Sequence, residues 1–487
     1  MTERLRLSEI VAGLPDGGRI LGSDPLIAGV THDSRAVRSG DLFVAIPGAL
    51  VDGHDFVDRA FGLGAAAVVV EHDMGGPSRV VVPDARAALP WVAAAAFGNP
   101  SYRLPVIGVT GTNGKTTVTH LLEQIVVADG RSAGVIGTIG ARIGATEESV
   151  ARTTPEASDL QRLLAEMADA GIDVAAIEVS SHALSLHRVD AVRFRVAGFT
   201  NLMQDHLDFH GDMESYFAVK ASLFVSDRID HAVISIDDQA GRAIAAATDV
   251  PTTTVSVDGD ADITASAIDE SVRGTTFQLS SPIETEAVRL PLPGRFNVQN
   301  ALVAAAIAGE LGIGIESIVA GLEALRTIPG RFERIVEPGA VSVVVDYAHT
   351  PDAIDAVVDA GRRISSGRLI VVFGAGGDRD QNKRAAMGRA ASRADLVILT
   401  SDNPRSEEPQ AIAAAVRVGI APTARVVEEP SRRLAIRKGL AAADGDDLVL
   451  VLGKGHEQGQ EIAGRVEPFD DRAVVREELQ HLAEGSS

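Results

Sequence analysis

Apolar positions recur at two different periods along this chain. In its middle part, the apolar runs at 105–110 and 173–181 alternate with stretches of helical periodicity such as residues 159–171. An alternation of short strands with amphipathic helices is typical of a parallel sheet covered by helices. Residues 250–290 are rich in Thr, Ser and Asp and alternate in character, which predicts an antiparallel edge or excursion rather than a linker.

The pattern divides the chain into three blocks. Turn-forming residues at 97–105 end the first block, whose apolar runs DLFVAI and AAAVVVEH predict a small α/β domain. After the turn near Arg331, the runs VSVVVD, LIVVF, DLVILT and DLVLVLG alternate with helical stretches, as in a doubly wound sheet. We therefore predict an α/β protein with a small N-terminal domain at 1–103, a central parallel-sheet domain at 104–330 and a Rossmann-like domain at 331–487.

Composition narrows the functional classes. With 487 residues, the chain exceeds the size at which a single hydrophobic core keeps growing. The 45 basic and 67 acidic side chains leave a formal charge of −22, which opposes binding to nucleic acid or to anionic membranes. The absence of cysteine excludes a disulfide, a thiolate nucleophile and a Cys-ligated zinc site. Because the sequence has neither a signal-like apolar core nor an apolar run long enough to span a bilayer, we expect a cytoplasmic protein that does not insert into membranes. We also expect a monomer.

A glycine-rich turn follows the apolar run at 105–110, and helical periodicity resumes after it. Backbone N–H groups in such a turn, with the positive end of the next helix, bind anions, so Lys115 can reach outer phosphates and the Thr116 hydroxyl can ligate Mg²⁺. The spacing differs by one from the usual pattern, since Gly108 and Gly114 enclose five residues. The strand and helix context nevertheless favours a nucleotide site and a P-loop ATPase-like central domain. We assign this site to Gly111, Thr112, Asn113, Gly114, Lys115, Thr116 and Thr117.

An acidic residue, Glu178, ends the apolar strand at 173–181. The carboxyl ends of parallel strands form the ligand crevice of an open sheet, so Glu178 and Lys115 are expected to face the same cavity. Mg²⁺ commonly takes one or two carboxylates together with substrate phosphates, which suits Glu178 and Thr116 as a pair. The alternative is a solvated acid at the end of a strand.

Residues 200–224 are dense in His and Asp and end near Lys220, on an otherwise apolar helical face. His206 and His210 are four residues apart, a spacing that also occurs in zinc hydrolases, although such residues are often helix caps or hydrogen-bonding core residues. An ammonium group would be repelled by a nearby metal ion. Loss of its proton through burial, followed by capture of CO₂ as a carbamate, would turn Lys220 into an oxygen ligand.

Several strings, in their order and spacing, resemble the Mur ligases. They are GVTGTNGKTT, EVSSHAL, TNLMQDHLDFHGDMESYFAVKASLF, GRFNVQNALVA, PGRFERI, DYAHTPDAI, GAGGDRDQNKR, DNPR and GKGHEQGQE. The match extends from the DSRAVRSGDLFVAIPG string at 33–48 to the end of the third block, and departs from the commoner family pattern at Leu186, Met203 and Gln204. The resemblance implies an N-terminal UDP-sugar-binding domain, a central ATP-binding ligase domain and a C-terminal amino-acid-binding domain.

The resemblance further implies an ATP-dependent amide ligase of peptidoglycan precursor synthesis. Its substrates would be a UDP-muramoyl dipeptide and a diamino acid, and its catalytic residues Lys115, Glu178, His206 and Lys220. Thr116 and Glu178 are implied as ligands of one Mg²⁺ ion, and His206 and a carbamate on Lys220 as ligands of a second. Further nucleotide contacts are implied for Asn297, Asn300, Arg331 and Asp346, and UDP-muramoyl peptide contacts for Ser34, Thr153, Thr154, Ser180 and Arg188.

The incoming amino acid is the remaining substrate. In the family it is bound at positions that match Arg379, Asp402, Asn403, Pro404, Arg405, Gly453 and Glu457. The DNPR form of this motif goes with meso-diaminopimelate, whose distal carboxylate a guanidinium can bind through two hydrogen bonds. L-Lysine and ornithine remain alternatives, since Arg405 could instead be a surface residue after a turn.

Two other functional classes remain open at this point. A metallohydrolase built on the His/Asp/Lys220 cluster would turn over without ATP and would leave the phosphate-binding turn unexplained. A nucleotide-sensing scaffold would bind ADP or ATP without stoichiometric release of phosphate. Among ligases, folylpolyglutamate synthetase shares the ATPase plan, but the N-terminal DSR block and the DNPR and GHE strings argue against it.

Overall fold

Three sheets with different strand orders organise the chain. The computed structural model describes residues 4–48, 51–335 and 341–485. The first sheet has the strand order β1-β5-β4-β3-β2, and its strands are parallel except for β1. Its elements are α1 (Leu7–Val11), β1 (Arg19–Gly22), β2 (Val30–Thr31), β3 (Leu42–Val44), α2 (Val57–Gly62), β4 (Ala67–Val70), β5 (Ser78–Val81) and α3 (Ala85–Ala96). This is the predicted small α/β unit.

The central sheet has eleven strands in the order β16-β15-β14-β13-β12-β11-β6-β10-β7-β8-β9. Its first elements are β6 (Val106–Thr110), α4 (Lys115–Ala128), β7 (Ala133–Gly137), β8 (Gly140–Ile143), β9 (Thr146–Glu148), α5 (Ala157–Asp169), β10 (Val174–Glu178), α6 (Ser181–Ser185) and β11 (Phe194–Phe199). The remaining elements are α7 (Leu207–His210), α8 (Met213–Ala221), β12 (Ile229–Ser235), α9 (Gln239–Ala247), β13 (Thr252–Ser256), β14 (Ile263–Ser271), β15 (Gly274–Ser280), β16 (Thr285–Leu290), α10 (Arg295–Glu310) and α11 (Ile315–Ala324).

The centre of this sheet is parallel and both of its ends are antiparallel. From β7 through β10, β6, β11, β12 and β13 to β14, all neighbours run parallel. The strands β14 to β16 then run antiparallel, which confirms the prediction for most of residues 250–290, although β13 within that range still pairs in parallel. The antiparallel strands β8 and β9 extend the opposite end and were not predicted.

The third sheet has the order β17-β18-β22-β19-β20-β21 and is parallel except for β17. Its elements are β17 (Glu333–Ile335), β18 (Ser342–Asp346), α12 (Pro351–Ile364), β19 (Leu369–Phe373), α13 (Lys383–Ala391), β20 (Leu396–Leu399), α14 (Pro409–Arg417), β21 (Val426–Glu428), α15 (Arg432–Ala441), β22 (Leu448–Leu452) and α16 (Asp471–Gly485). A separate hairpin, β23 (Gly459–Ile462) with β24 (Arg465–Pro468), lies before α16.

Side-chain alternation along β19 shows how this sheet is covered on both faces. Leu369, Val371 and Phe373 belong to one buried core cluster, while Ile370 and Val372 belong to another. Successive strand residues point to opposite faces, so a strand buried on both faces appears as a continuous apolar run. The doubly wound prediction is therefore confirmed.

The boundaries predicted after residues 103 and 330 fall in connecting segments, before β6 and between α11 and β17. The division into three independently folding domains stays a prediction. Within the described part of the chain, every helix is too short or too polar to cross a bilayer.

Candidate active site

The turn between β6 and α4 has a backbone that glycine alone adopts easily. Gly111 has φ +145° and Gly114 has φ +91°, and a Cβ atom on Gly111 would lie 1.9 Å from Thr200 Oγ1. Lys115 Nζ donates hydrogen bonds to the carbonyl oxygens of Gly111 and Thr112, both at 2.8 Å. Burial lowers the pKa of Lys115. The conformation of the turn therefore depends on its glycines, and the buried ammonium group of Lys115 is hydrogen bonded to the backbone of the turn itself.

Glu178 lies beside this turn because β10 pairs in parallel with β6. Its side chain is 1% exposed, so it is not a solvated strand-end acid. Thr116 Oγ1 donates to Glu178 Oε2 at 3.0 Å, and Thr138 donates to both carboxylate oxygens, through its backbone N–H at 2.8 Å and its hydroxyl at 2.9 Å. These bonds hold a hydroxyl and a carboxylate together at the start of α4, which is the type of oxygen pair that Mg²⁺ prefers.

We call the cavity above the turn the central cavity. The sequence-predicted residues on its lining are Thr112, Asn113, Gly114, Lys115, Thr116, Thr117, Thr153, Glu178, Ser180, His206 and Arg331. The residues that the sequence analysis did not assign are Thr138, Asp205, Tyr347 and His349. The central cavity thus joins the glycine-rich turn to residues from the C-terminal unit.

A second cavity, the junction cavity, lies between the central and C-terminal units. Its sequence-predicted lining residues include Asn297, Asn300, Arg331 and Asp346, and it shares Asn113, Gly114, Thr117, Arg331 and Tyr347 with the central cavity. The aromatic rings of Phe296, Phe332 and Tyr347 also line it and were not assigned from the sequence. Apolar rings beside amide side chains form a surface suited to a planar heterocycle.

Arg331 connects the two cavities physically. Its Nη2 donates to Thr116 Oγ1 at 3.1 Å, and its guanidinium carbon lies 4.6 Å from the centre of the Tyr347 ring. Asp346, at the end of β18, accepts hydrogen bonds from the backbone N–H groups of Phe332 at 2.6 Å and Ala348 at 2.7 Å. Burial raises the pKa of Asp346. Asp346 therefore fixes the backbone that carries Arg331 and Tyr347.

The third cavity, the C-terminal cavity, lies at the carboxyl ends of the strands of the third sheet. Its sequence-predicted lining residues are His206, Arg379, Asp402, Asn403, Arg405, Gly453 and Glu457, whereas Pro404 lies outside its lining. It shares Asp205, His206, Tyr347 and His349 with the central cavity. Arg405 Nη1 donates to Gly377 O at 2.6 Å, and its Nε lies 3.3 Å from Glu461 Oε2. Side chains of both charge signs therefore meet in one cleft.

His206 lies where the central and C-terminal cavities meet. Its Nε2 is 3.3 Å from Asp205 Oδ2, and burial lowers its pKa to about 3, so the ring is neutral near pH 7. His210 instead bonds through Nε2 to Ser181 Oγ at 2.9 Å. Among the described residues there is no group of three or more His, Asp or Glu side chains that could hold a metal ion.

Lys220 lies behind the glycine-rich turn rather than on the lining of the central cavity. It is 1% exposed on α8, and its Nζ donates to Gly111 O at 2.9 Å. Burial, and then the charge of Lys115, lower its pKa well below the ordinary value. The structure therefore provides a lysine whose amine is readily deprotonated next to the turn.

The residues implied for the UDP-muramoyl peptide fall into two places. Thr153 and Ser180 line the central cavity. Thr154 Oγ1 donates to the Glu178 carbonyl at 2.7 Å, and Arg188, which is buried, donates to the Thr154 carbonyl at 3.2 Å. Ser34 lies apart from them, buried in the loop after β2 and outside the three cavities.

The sequence analysis missed a contact between the central and C-terminal units. Asp205 Oδ1 lies 3.3 Å from Lys383 Nζ, and both side chains are buried. Next to it, Gln204 Nε2 donates to Asp380 at 3.5 Å. The strings DYAHTPDAI and GAGGDRDQNKR already contained Tyr347, His349 and Lys383, but only Asp346 and Arg379 were taken from them.

The fold and these connected cavities define a nucleotide-dependent enzyme. Three family models match the chain: "Mur ligase family, catalytic domain" at residues 26–97, "Mur ligase middle domain" at 109–308 and "Mur ligase, glutamate ligase domain" at 330–455. The chain belongs to the Mur ligase family.

Similar proteins extend over nearly the whole chain. A UDP-N-acetylmuramoyl-L-alanyl-D-glutamate--2,6-diaminopimelate ligase of Streptomyces coelicolor is 46% identical over 472 residues, which cover 93% of this chain and 92% of the relative. The ligase of the same name from Geobacillus thermodenitrificans is 42% identical, with 97% and 99% covered. A solved structure of a ligase of that name is 33% identical, has a TM-score of 0.70, and matches 99% of this chain and 100% of its own.

Proposed function

We propose that this chain is an ATP-dependent ligase that joins meso-diaminopimelate to UDP-N-acetylmuramoyl-L-alanyl-D-glutamate. Two relatives that carry this activity in their names are 46% and 42% identical over 93% and 97% of the chain. The structural observation that carries the proposal is the shared lining of the three cavities. Arg331 lines both the junction and central cavities, and His206 lines both the central and C-terminal cavities. A nucleotide, an acceptor acid and an amine can therefore meet at one point.

Lys115 and Arg331 are the cations on the lining of the central cavity. Phosphoryl transfer from ATP to the peptide carboxylate brings two anions together, so catalysis depends mainly on positioning and on neutralising charge. In this proposal Lys115 holds the outer phosphates, and Arg331 holds the nucleotide from the other side of the junction. The product of this step is an acyl phosphate, because a free carboxylate is a poor electrophile.

The chemistry of the donor set fits Mg²⁺. Thr116 offers a hydroxyl and Glu178 a carboxylate, already 3.0 Å apart, and the neutral ring of His206 can donate a lone pair on the other side of the central cavity. Bound there, Mg²⁺ would neutralise phosphate charge. These three residues, and a carbamate on Lys220, are the ligands we propose.

The lowered pKa of Lys220 supports carbamylation. A neutral amine attacks CO₂ to form an N–C bond and releases one proton, which leaves a carbamate anion in place of an ammonium ion. The carbamate nitrogen keeps one N–H group, so the existing hydrogen bond to Gly111 O can persist. The modification would thus replace a positive charge beside the turn with a negative one.

The C-terminal cavity supports a substrate with charges at both ends. Arg379, Arg405 and Lys383 are its cations, and Asp402 and Glu457 are among its carboxylates. Diaminopimelate carries two ammonium and two carboxylate groups, whereas lysine and ornithine lack the distal carboxylate that a guanidinium can bind. The amine must be deprotonated before it attacks the acyl phosphate and expels phosphate. Exclusion of water at that moment requires the C-terminal unit to cover the central cavity.

The test supplies purified protein with ATP, Mg²⁺ and UDP-muramoyl-Ala-Glu, and then with meso-diaminopimelate, L-lysine or L-ornithine in turn. Phosphate release and product mass are measured. We expect diaminopimelate to be incorporated with one phosphate released per product. Incorporation of lysine or ornithine instead would correct the amino acid while leaving the ligase class intact. If no product forms with any of the three diamino acids although intact ATP is present, the ligase proposal itself is contradicted.

A further inference from the structure

A fully buried lysine lies behind the C-terminal cavity, between two residues that line it. Lys454 is 0% exposed, and it belongs to the loop after β22 that also carries Gly453 and Glu457. An isolated ammonium group is costly to bury, so a buried lysine must be paired and hydrogen bonded. The hydrogen-bond partners of Lys454 therefore indicate which side chains its charge orients.

Both partners belong to the wall of the C-terminal cavity. Lys454 Nζ donates to Asn403 Oδ1 at 3.0 Å and to Glu457 Oε2 at 2.9 Å. Asn403 Nδ2 donates to the same Glu457 oxygen at 2.8 Å, which closes a ring of three side chains. Asn403 Oδ1 also accepts the backbone N–H of Glu461 at 3.0 Å. The ring thus ties the loop after β20 to the loop after β22.

The ring leaves Glu457 able to bind a further donor. Its side chain is 31% exposed and lines the C-terminal cavity, and both donors of the ring reach Oε2. An ionised carboxylate has about four acceptor sites over its two oxygens, so capacity remains for a substrate group. An ammonium group entering the cavity would meet a carboxylate whose orientation is already fixed, and binding would not have to order it.

We propose that Lys454 is a positioning residue that holds Glu457 and Asn403 in the orientation that binds an ammonium group of the incoming diamino acid. Lys454 itself does not touch the substrate. The inference rests on the proposed ligase function. It adds how the side chains of the amino-acid subsite are held in their binding orientation. Without the buried charge, Glu457 would keep only the Asn403 amide as a donor within the ring, and Asn403 Oδ1 only the Glu461 N–H, so both side chains would be held less firmly in orientation.

The experiment compares steady-state kinetics of the wild-type enzyme with Lys454→Met, which keeps the length without donors, and Lys454→Gln, which keeps a neutral donor. Lys438→Met is the matched control, because Lys438 lies in the same unit on α15 and pairs with Glu429, away from the cavities. The Michaelis constant of each substrate is measured with the other two saturating, and ADP binding by calorimetry reports whether each variant is folded.

We expect Lys454→Met to raise the KM for diaminopimelate by roughly ten- to a hundredfold, as for the loss of a charge-assisted hydrogen-bond network. The KM values for ATP and for the UDP-peptide should change by less than about twofold. Lys454→Gln should recover part of the loss, and it provides the same comparison if the Met variant does not fold. Lys438→Met should match the wild type.

Two results would overturn the inference. One is an unchanged KM for diaminopimelate in folded Lys454→Met or Lys454→Gln protein. The other is a parallel rise in the KM values of all three substrates, which would indicate a general structural role. If the wild-type enzyme ligates no diamino acid at all, the proposed function falls together with the inference, so the two failures are told apart by the wild-type assay alone.

Discussion

Lys115 and Lys220 donate hydrogen bonds to the same carbonyl oxygen, that of Gly111, at 2.8 and 2.9 Å. Two ammonium groups that share one acceptor repel each other, and the charge of Lys115 is one of the causes that lower the pKa of Lys220. One of the two lysines faces the central cavity and the other is buried behind the turn. The pair favours a state in which Lys220 has lost its positive charge.

The first prediction concerns CO₂. Enzyme depleted of CO₂ and bicarbonate should lose activity and regain it when bicarbonate is added, because the neutral amine of Lys220 would then form the carbamate again. Lys220→Arg, which stays cationic, should reduce kcat by about a hundredfold or more. Intact-mass measurement under native conditions should find the mass of one CO₂ on the wild type and not on the variant. Full activity of CO₂-depleted enzyme would contradict carbamylation.

The second prediction concerns the phosphate-binding turn. Lys115→Met should reduce kcat/KM for ATP by about a thousandfold or more, since the variant lacks the ammonium group that we propose to hold the outer phosphates. Phosphate release at varied ATP concentration measures this effect. Lys438→Met, which removes an exposed lysine, should leave it unchanged. A Lys115→Met enzyme with near wild-type kcat would remove Lys115 from the proposed mechanism.

The third prediction concerns selection of the amino acid. Arg405→Ala should raise the KM for diaminopimelate by roughly ten- to a hundredfold, because a charge-assisted contact to the distal carboxylate is lost. It should affect that constant far more than Lys115→Met does. Arg417→Ala is the matched control, since Arg417 lies on α14 of the same unit and its contact with Glu428 is a loose one of 3.8 Å. Equal KM values for wild type and Arg405→Ala would favour a different diamino acid.

The fourth prediction concerns stability and pH. Burial, and then the charges of Arg331 and Arg472, lower the pKa of His456 from 6.5 to about 3. Between these two pH values the unfolded chain binds a proton at His456 that the folded chain does not. The free energy of unfolding should therefore fall as the pH decreases from about 6.5 toward 3. Above pH 6.5 the contribution of His456 to the free energy of unfolding should be constant.

Urea unfolding at several pH values between 7 and 4.5 tests this sign. His456→Phe should lose less stability on acidification than the wild type does, since that proton can no longer be taken up by the unfolded state. His481→Phe, at an exposed position on α16, is the control and should follow the wild type. A His456→Phe variant with the wild-type slope would place the acid sensitivity elsewhere.

Local sequence signals were sufficient for the fold class and for the residues around the turn. Lys115 and Glu178 could be placed together because each follows a strand, and parallel strands end at one edge. The contact between Asp205 and Lys383 could not be placed, because these residues are 178 positions apart and meet only through the arrangement of two units. The strands β8 and β9 were missed because they are short: β8 has four residues of intermediate or full burial and β9 has three polar, exposed ones, so neither carries a clear periodic signal.

Tyr347 lies on the wall of all three cavities, with the guanidinium of Arg331 against its ring. A small flat molecule bound to that phenol would obstruct three routes of entry simultaneously. An inhibitor of this enzyme would therefore not need to imitate any one reactant in full, and it would compete with each of the three reactants.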